Sequence, residues 1–246
     1  MRITRLYLNT KLNIHQILEL DAELSHKLLN VLRLKKDDKL IVFNGEQDEY
    51  LSEIQSIHRK IVGLKILLRI VKNVESPLKI HLGQVMAKGD KMDFVVQKAT
   101  ELGVHRITPL SSERSVVHLK HERIEKKIEH WQKVVIHAAE QSGRTFVPQI
   151  EKPMDINEWV HDVSESTRLV LDPTGEYTLS AMEKLDSVAL LIGPEGGLSP
   201  EEISFALKKG FKGVQFGPRI LRTETAALAA IAALQCRAGD MCTPFG

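Results

Sequence analysis

The spacing of hydrophobic residues along this chain changes period once, and the change divides it in two. Up to about residue 70 the period is two. The runs TRLYL, KLIVFNG, EYLSEIQSI and VGLKILLRI carry β-branched or alternating apolar residues and predict strands. Asn44-Gly45 stands between two of them and signals a hairpin. One short helix, over 21–32, interrupts the series. Together these predict a small, mainly β domain, a barrel. The stretch VESP (74–77) reads as a linker, because Pro77 favours an extended residue before it.

Beyond Pro77 the period lengthens. LKIHLGQVMA predicts a strand. Asp90 then opens a helix with Met92, Val95, Val96, Ala99 and Leu102 on one face, and Gly103 closes it. VHRITPL is the next strand. Residues 121–140 place Ile124, Ile128, Trp131, Val135 and Ala138 at helical spacing. TRLVLD, VALLIG and GVQFG are strands of the buried type. Strands alternating with helices predict a mostly parallel α/β sheet. The expected domains are 1–73 and 77–246.

Composition narrows the class without choosing a function. The chain has 246 residues, 43% hydrophobic and 27% charged, the profile of a soluble globular protein with a real core. A net charge of +2 permits a nucleic-acid partner without requiring one. The two cysteines, Cys236 and Cys242, lie outside any zinc spacing and fit a reducing compartment. No apolar run is long enough to span a bilayer, and MRITRLYLNTKLN lacks a signal-peptide core, so a cytoplasmic protein without a membrane partner is expected.

In open α/β sheets ligands bind at the C-terminal ends of strands. Three loops leave such ends here: Asp172-Pro173-Thr174-Gly175, Gly193-Pro194-Glu195-Gly196-Gly197, and Gly217 through Thr225. In the second, Ser199 can cap a helix, Pro200 suits its first position and Glu202 completes a capping box. GPEGGL is therefore a true loop, and its paired glycines allow φ > 0 and close approach of a flat ligand. Glu195 and the acids of the following turn make it a poor phosphate cradle. Phosphate-loop and dinucleotide glycine motifs are both missing. Ser199 in GLSPE is no nucleophile elbow. His118, His121, His130 and His137 form no metal-binding motif, and no metal is expected. In the third loop Thr223 is a plausible N-cap and Glu224 a dipole-favoured acid. The alanines that follow give a slim helix that another element, such as a symmetric partner, can approach closely.

These motifs resemble a known family. LIGPEGGLSPEE with GPRILRTETAALAAI is similar to the bacterial 16S rRNA (uracil-N3)-methyltransferases (RsmE-type) of the SPOUT superfamily. The resemblance extends to MAKGDKMDFVVQKATELGV, PLSSERSVV, HAAEQSGRTFVPQI and HKLLNVLRLKKDDKLIVFNG, six segments in all over nearly the whole chain. It implies a PUA-like β-barrel followed by an α/β methyltransferase domain with a trefoil knot, S-adenosylmethionine as cofactor, 16S rRNA of the small ribosomal subunit as substrate, and a homodimer. Carried over by motif, the cofactor-binding positions are Leu171, Asp172 and Pro173, then Ile192, Gly193, Pro194, Glu195, Gly196 and Gly197, then Ile220, Leu221 and Thr225.

Chemistry adds roles to that frame. N3 of uracil carries a proton at neutral pH, so a base or a cation that stabilises the uracil anion should help. Arg222 is the candidate cation, and Glu224 or Glu195 the proton acceptor, with capping and loop structure as the alternative for both acids. Arg114 and Arg144 are candidates for phosphate contacts, with surface ion pairing as their alternative. In the first domain Arg2, Arg5, Arg33, Lys35 and Lys36 form a basic set suited to RNA or simply to solvent. Two other functions compete. A SPOUT enzyme acting on another nucleoside, such as a ribose 2′-O-methyltransferase, would end in a Ser/Asn-rich third loop, unlike LRTETAALAA. A non-catalytic RNA-binding module has no need of two close-approach turns.

Overall fold

The short-period runs pair into one five-stranded sheet and the longer-period segment builds a second sheet covered by helices. The computed structural model describes residues 3–46, 48–115, 121–179 and 185–242, except the side chains of 121–123. Arg2 and His118 lie outside the described residues, as does the side chain of His121. The chain divides into two compact units, Met1–Glu75 with Ala139–Phe146, and Ser76–Ala138 with Val147–Gly246.

In the first unit, β1 (Arg5–Tyr7), β2 (Ile17–Glu19), β3 (Lys39–Phe43), β4 (Glu49–His58) and β5 (Ile61–Ile70) lie in the order β1-β3-β4-β5-β2. β1 runs parallel to β3 and the other pairs are antiparallel. Asn44-Gly45 does lie in the β3–β4 hairpin, where Gly45 takes φ +89° in a loop longer than two residues. Register shifts at Leu51/Ser52 and Ile54/Ser56 mark bulges that strengthen the local twist. Leu6, Leu28, Leu40, Val42, Ile54 and Leu64 are fully buried between the sheet and the helix. That helix, α1 (Ala22–His26), is capped by Asp21 accepting from Leu24 N at 2.8 Å, and continues as a π-type turn over Lys27–Val31.

Residues 139–146 join this unit, which a linear boundary near 74–77 does not foresee. The cause is polar. Glu140 Oε1 accepts from the backbone of the edge strand at Tyr7 N (3.1 Å), and its Oε2 accepts from Lys27 Nζ (2.7 Å). Arg144 donates to Glu75 at 2.6 Å, and Glu75 also accepts from the backbone of Thr145 and Phe146. Arg5 is ion-paired with Glu49 and donates to the Arg144 carbonyl at 2.7 Å. The Arg5 and Arg144 side chains are only 8% and 7% exposed. Both guanidinium groups, expected from the sequence to meet RNA phosphates, are held inside the unit by carboxylates. Arg33, Lys35 and Lys36 are exposed, and Arg33 has φ +57° just past the π-type turn.

The second unit is a parallel sheet in the order β12-β10-β11-β6-β7-β8. Its strands are β6 (Lys79–Val85), β7 (Arg106–Ser111), β8 (Gln149–Ile150), β10 (Thr167–Leu171), β11 (Ser187–Ile192) and β12 (Lys212–Val214), with β9 (Met154–Asp155) also paired to β7. Successive side chains face opposite sides, as the pleat requires. Val188 and Leu190 enter a core with α2 (Lys91–Glu101), α3 (His121–Ser142) and α6 (Thr223–Ala238). Ala189 and Leu191 enter the other, with α4 (Ile156–Asp162) and α5 (Pro200–Lys208). α4 is too short to show in the periodicity. Gly83 lets the α4 residue Trp159 pack closely against β6, since a Cβ there would sit 2.5 Å from the indole. Trp159 Nε1 donates to Nε2 of buried His81 at 3.1 Å, so the His81 Nδ1 proton faces Glu165 at 3.0 Å.

α6 buries Ala227, Ala230, Ile231 and Leu234 and packs on α2. Its Gln235 Nε2 donates to the Leu102 carbonyl at the end of α2 (3.0 Å). Within the chain, then, the slim face serves the approach of α2. Cys236 and Cys242 are free and exposed.

Candidate functional site

Parallel strands deliver their loops to one end of a sheet, and β10, β11 and β12 are neighbours or near neighbours there. Their loops enclose a cavity of about 320 Å³, within the range of roughly 300–1,000 Å³ common for small-molecule sites. Of the sequence-predicted cofactor positions, Leu171, Asp172, Pro173, Ile192, Gly193, Pro194, Glu195, Gly197, Ile220 and Leu221 line it. Gly196 and Thr225 do not. The pattern missed Leu198, Ile203, Val214, Phe216, Gly217, Arg219, Thr223 and Ala226, which complete the wall. Most of these are apolar residues that read as ordinary core.

The first loop is shaped by Asp172, which is 7% exposed. Its Oδ1 accepts from Thr174 N and Thr174 Oγ1, both at 2.8 Å, a side-chain-closed turn. Gly175 then passes directly over β12: a Cβ at this position would lie 2.4 Å from the Gly213 carbonyl oxygen.

The second loop joins β11 to α5. The capping box is present, with Ser199 N donating to Glu202 Oε2 at 2.8 Å and Glu202 N to Ser199 Oγ at 3.3 Å. Gly197 N closes a turn on the Pro194 carbonyl (3.0 Å) at φ +71°. The paired-glycine reading is corrected at Gly196: its φ is not positive, and a Cβ there would meet only Arg114 Cβ at 3.7 Å. Gly197 has the unusual backbone, and Gly193 the tight neighbour, with Leu198 Cγ 3.0 Å from its would-be Cβ. Exposed Arg114 reaches this loop, its Nη1 lying 3.4 Å from the carbonyls of Gly196 and Leu198.

Glu195 faces a cation. Lys91 Nζ, at the start of α2, donates to Glu195 Oε1 at 3.0 Å, and Lys88 N approaches the same oxygen at 3.4 Å. Burial works to raise the Glu195 pKa, but its own backbone N–H, Lys91 and the Lys88 backbone together hold it below the usual carboxylate value. Lys91 Nζ also lies 3.8 Å from Glu224 Oε2, an enclosed oxygen without a hydrogen bond.

The third loop turns at Gly217 (φ +74°) and ends at exposed Arg222. Thr223 is not the N-cap. Arg222 holds that position with extended φ/ψ, and Thr223 is the first helical residue. Its hydroxyl, freed from capping, donates instead to the Gly193 carbonyl at 2.6 Å and accepts from Gln84 Nε2 at 3.0 Å. Arg222 and Glu224 stand beside the cavity-lining residues in sequence without lining the cavity themselves. Among the described residues no group of His, Cys, Asp and Glu could hold a metal, and no helix is long and apolar enough to cross a membrane. His130 is spoken for by Asp93 at 2.5 Å.

Comparison with known proteins places this geometry. Residues 74–235 match the model of the RNA methyltransferase domain and residues 20–67 that of the RNA methyltransferase PUA domain. The ribosomal RNA small subunit methyltransferase E of Buchnera aphidicola (subsp. Schizaphis graminum) is 44% identical over 98% of both chains. That of Bacillus subtilis is 33% identical over 85% of this chain and 86% of its own. Among solved structures, the ribosomal RNA small subunit methyltransferase E of Neisseria gonorrhoeae, bound to S-adenosyl methionine, superposes with TM-score 0.92 at 35% identity, covering 98% of this chain and all of that one. The fold is thus an α/β methyltransferase fold with a PUA-like N-terminal domain, and the chain belongs to the RNA methyltransferase family represented by ribosomal RNA small subunit methyltransferase E.

Proposed function

We propose that the chain transfers the methyl group of S-adenosylmethionine to N3 of a uridine in 16S rRNA of the small ribosomal subunit. The observation that carries this is the convergence of the GPEGG and LRTETA loops, with the Asp172 loop, on one cavity. The cavity suits the cofactor. Ile192, Leu221 and Phe216 offer apolar surface to an adenine ring, backbone groups of the loops offer hydrogen bonds, and the Glu195 carboxylate at the wall favours a cation over a phosphate. When bound, the cofactor supplies an electrophilic methyl carbon on a sulfonium. The chain's part is to hold uracil N3 in line with it, so positioning does most of the work.

The N3 proton must leave. Glu195 is held as a carboxylate of depressed pKa beside Lys91 and is a weak base. Glu224 has an enclosed oxygen still lacking a hydrogen bond, which favours it as acceptor. Exposed Arg222, one residue before α6, is the group that can stabilise an O2 or O4 oxyanion. Arg114, beside the glycine loop, and exposed Arg33 and Lys35 of the first unit are the proposed phosphate contacts. The same reading takes residues 1–73 as the RNA-positioning domain and 77–246 as a SPOUT-type domain whose three loops form a trefoil knot. It also takes the protein as a cytoplasmic homodimer, with the partner completing the site.

The test uses labelled S-adenosylmethionine and small subunits from cells lacking the enzyme. Label is expected at uridine N3. Label found on a ribose or another base would refute the assignment.

A further inference from the structure

Gln84 sits next to the end of β6 and is fully buried. It lines no part of the cofactor cavity. Its hydrogen bonds nevertheless end on that cavity. Gln84 Nε2 donates to the Val85 carbonyl at 2.9 Å and to Thr223 Oγ1 at 3.0 Å, and Thr223 Oγ1 lies 2.6 Å from the Gly193 carbonyl.

The direction of this chain is fixed by simple valence. Val85 O can only accept, so the Gln84 amide must present its nitrogen there rather than its oxygen. The same nitrogen then donates to Thr223. A threonine hydroxyl has one proton, and with Gln84 as donor that proton goes to Gly193 O. Each bond therefore orients the next. Gln84 Oε1 is left buried without a partner, a cost tolerated only if the amide's other end is needed where it is. Thr223 is 4% exposed, so water competes poorly for its hydroxyl.

We infer that Gln84 and Thr223 are positioning residues for the cofactor: a one-way hydrogen-bond relay from β6 through the start of α6 that pins the Gly193 peptide and so sets the spacing of the second and third loops. Gly193 and Thr223 belong to those two loops, and both line the cavity. Lys91 bridges the same two loops by ion pairs, to Glu195 at 3.0 Å and Glu224 at 3.8 Å, whereas Thr223 to Gly193 is a direct hydrogen bond between them. The relay explains why Thr223 is the first residue of α6 and not its cap: a capping hydroxyl would turn back onto its own helix.

The inference rests on the proposed cofactor, and the experiment separates the two. S-Adenosylmethionine is titrated calorimetrically into the full chain, Thr223→Val, Thr223→Ser, Gln84→Met and the Gln84→Met/Thr223→Val double variant. Thr223→Val keeps the shape but strands the Gly193 carbonyl, and about tenfold weaker binding is expected, equivalent to about 1.4 kcal/mol. Thr223→Ser should restore affinity to within about twofold of the parent, since one hydroxyl proton suffices. Gln84→Met, remote from the cavity, should weaken binding by at least about threefold, and the double variant should lose no more than Thr223→Val alone, because both break one chain. In turnover the loss should appear in KM for the cofactor and not in KM for RNA, a split that general unfolding does not produce. A parent chain that fails to bind S-adenosylmethionine overturns the functional reading and the relay with it. A parent that binds, beside Gln84→Met and Thr223→Val variants of unchanged affinity, overturns the relay alone. Additive losses in the double variant also overturn it.

Discussion

Gly175→Ala tests how tightly the first loop is seated on β12. The added Cβ would lie 2.4 Å from Gly213 O, 2.5 Å from Gly213 C and 2.8 Å from Val214 N. All three are backbone atoms, so no side chain can swing aside. The two segments must part by roughly 1 Å to restore ordinary contact. That parting loads the bridge just beyond, where Tyr177 N donates to Gly213 O at 3.1 Å and Gln215 N to Tyr177 O at 2.9 Å. Overpacking of this kind costs about 1–3 kcal/mol, and one weakened backbone bond about 1 more. A total near 3 kcal/mol corresponds to a fall in Tm of roughly 6–12 °C for a unit of this size. Cofactor affinity should fall too, because Asp172, Pro173 and Val214 line the cavity on either side of the displaced contact. Gly196→Ala is the control: its Cβ meets only Arg114 Cβ at 3.7 Å, so its Tm should match the parent. Thermal unfolding by circular dichroism reads both. A Gly175→Ala protein melting within about 2 °C of the parent would mean that the loop yields freely, and the close-approach argument would be wrong.

Four further outcomes follow from the charges. Burial raises the Glu165 pKa, but the hydrogen bonds from His81, its own backbone N–H and Arg106 outweigh it and bring the carboxyl down to about 2. A depressed carboxylate stabilises the fold above its ordinary pKa of 4.5 and loses that contribution as pH falls toward about 2, so Glu165→Gln should flatten the acid limb of a stability–pH curve. Lys91→Met removes one of the groups that hold Glu195 low, so the pH below which cofactor affinity declines should move upward in calorimetric titrations. Arg144→Ala should destabilise the first unit by about 3 kcal/mol, because it takes away the cation opposite Glu75 and leaves that carboxylate only the backbone N–H groups of Thr145 and Phe146. Arg114→Ala should leave Tm unchanged and weaken RNA binding in a filter assay.

The fold was legible where a segment carries one dominant period. Residues 121–140 and the strands VALLIG and TRLVLD announce themselves because core packing is nearly all they do. Segments set by long-range polar bonds were not. Nothing local to HAAEQSGRTF says that Glu140 will bond the Tyr7 backbone, or Arg144 will bond Glu75, since those partners are 133 and 69 residues away in sequence. The same limit applied at the site. GPEGG and LRTETA located the loops, but Thr223 looked like a cap because Thr before an alanine run usually is one. Its hydroxyl is claimed instead by Gly193, 30 residues earlier. Gln84 did leave a trace, as a polar side chain inside a strand that had to have a buried partner.

The distribution of acids around the cavity bears on what it can hold. A phosphate site at a helix start relies on free backbone N–H groups and an uncompensated positive dipole end. Here the start of α5 is closed by its own capping box, with Glu201 and Glu202 in the first turn, and Glu202 also accepts from Glu113 N at 2.9 Å. The first turn of α6 holds Glu224. Both dipole ends are thus already met by carboxylates. Glu195 adds a further carboxylate, this one at the wall, and Lys91 balances part of the set from outside the cavity. At the wall itself the carboxylates of Asp172 and Glu195 outnumber the guanidinium of Arg219, so the cavity favours a cation over an anion. The two glycine-rich turns therefore differ in kind from phosphate loops: their glycines admit a flat neutral ring close to the backbone, while the surrounding acids suit the positive sulfur that the ring brings with it.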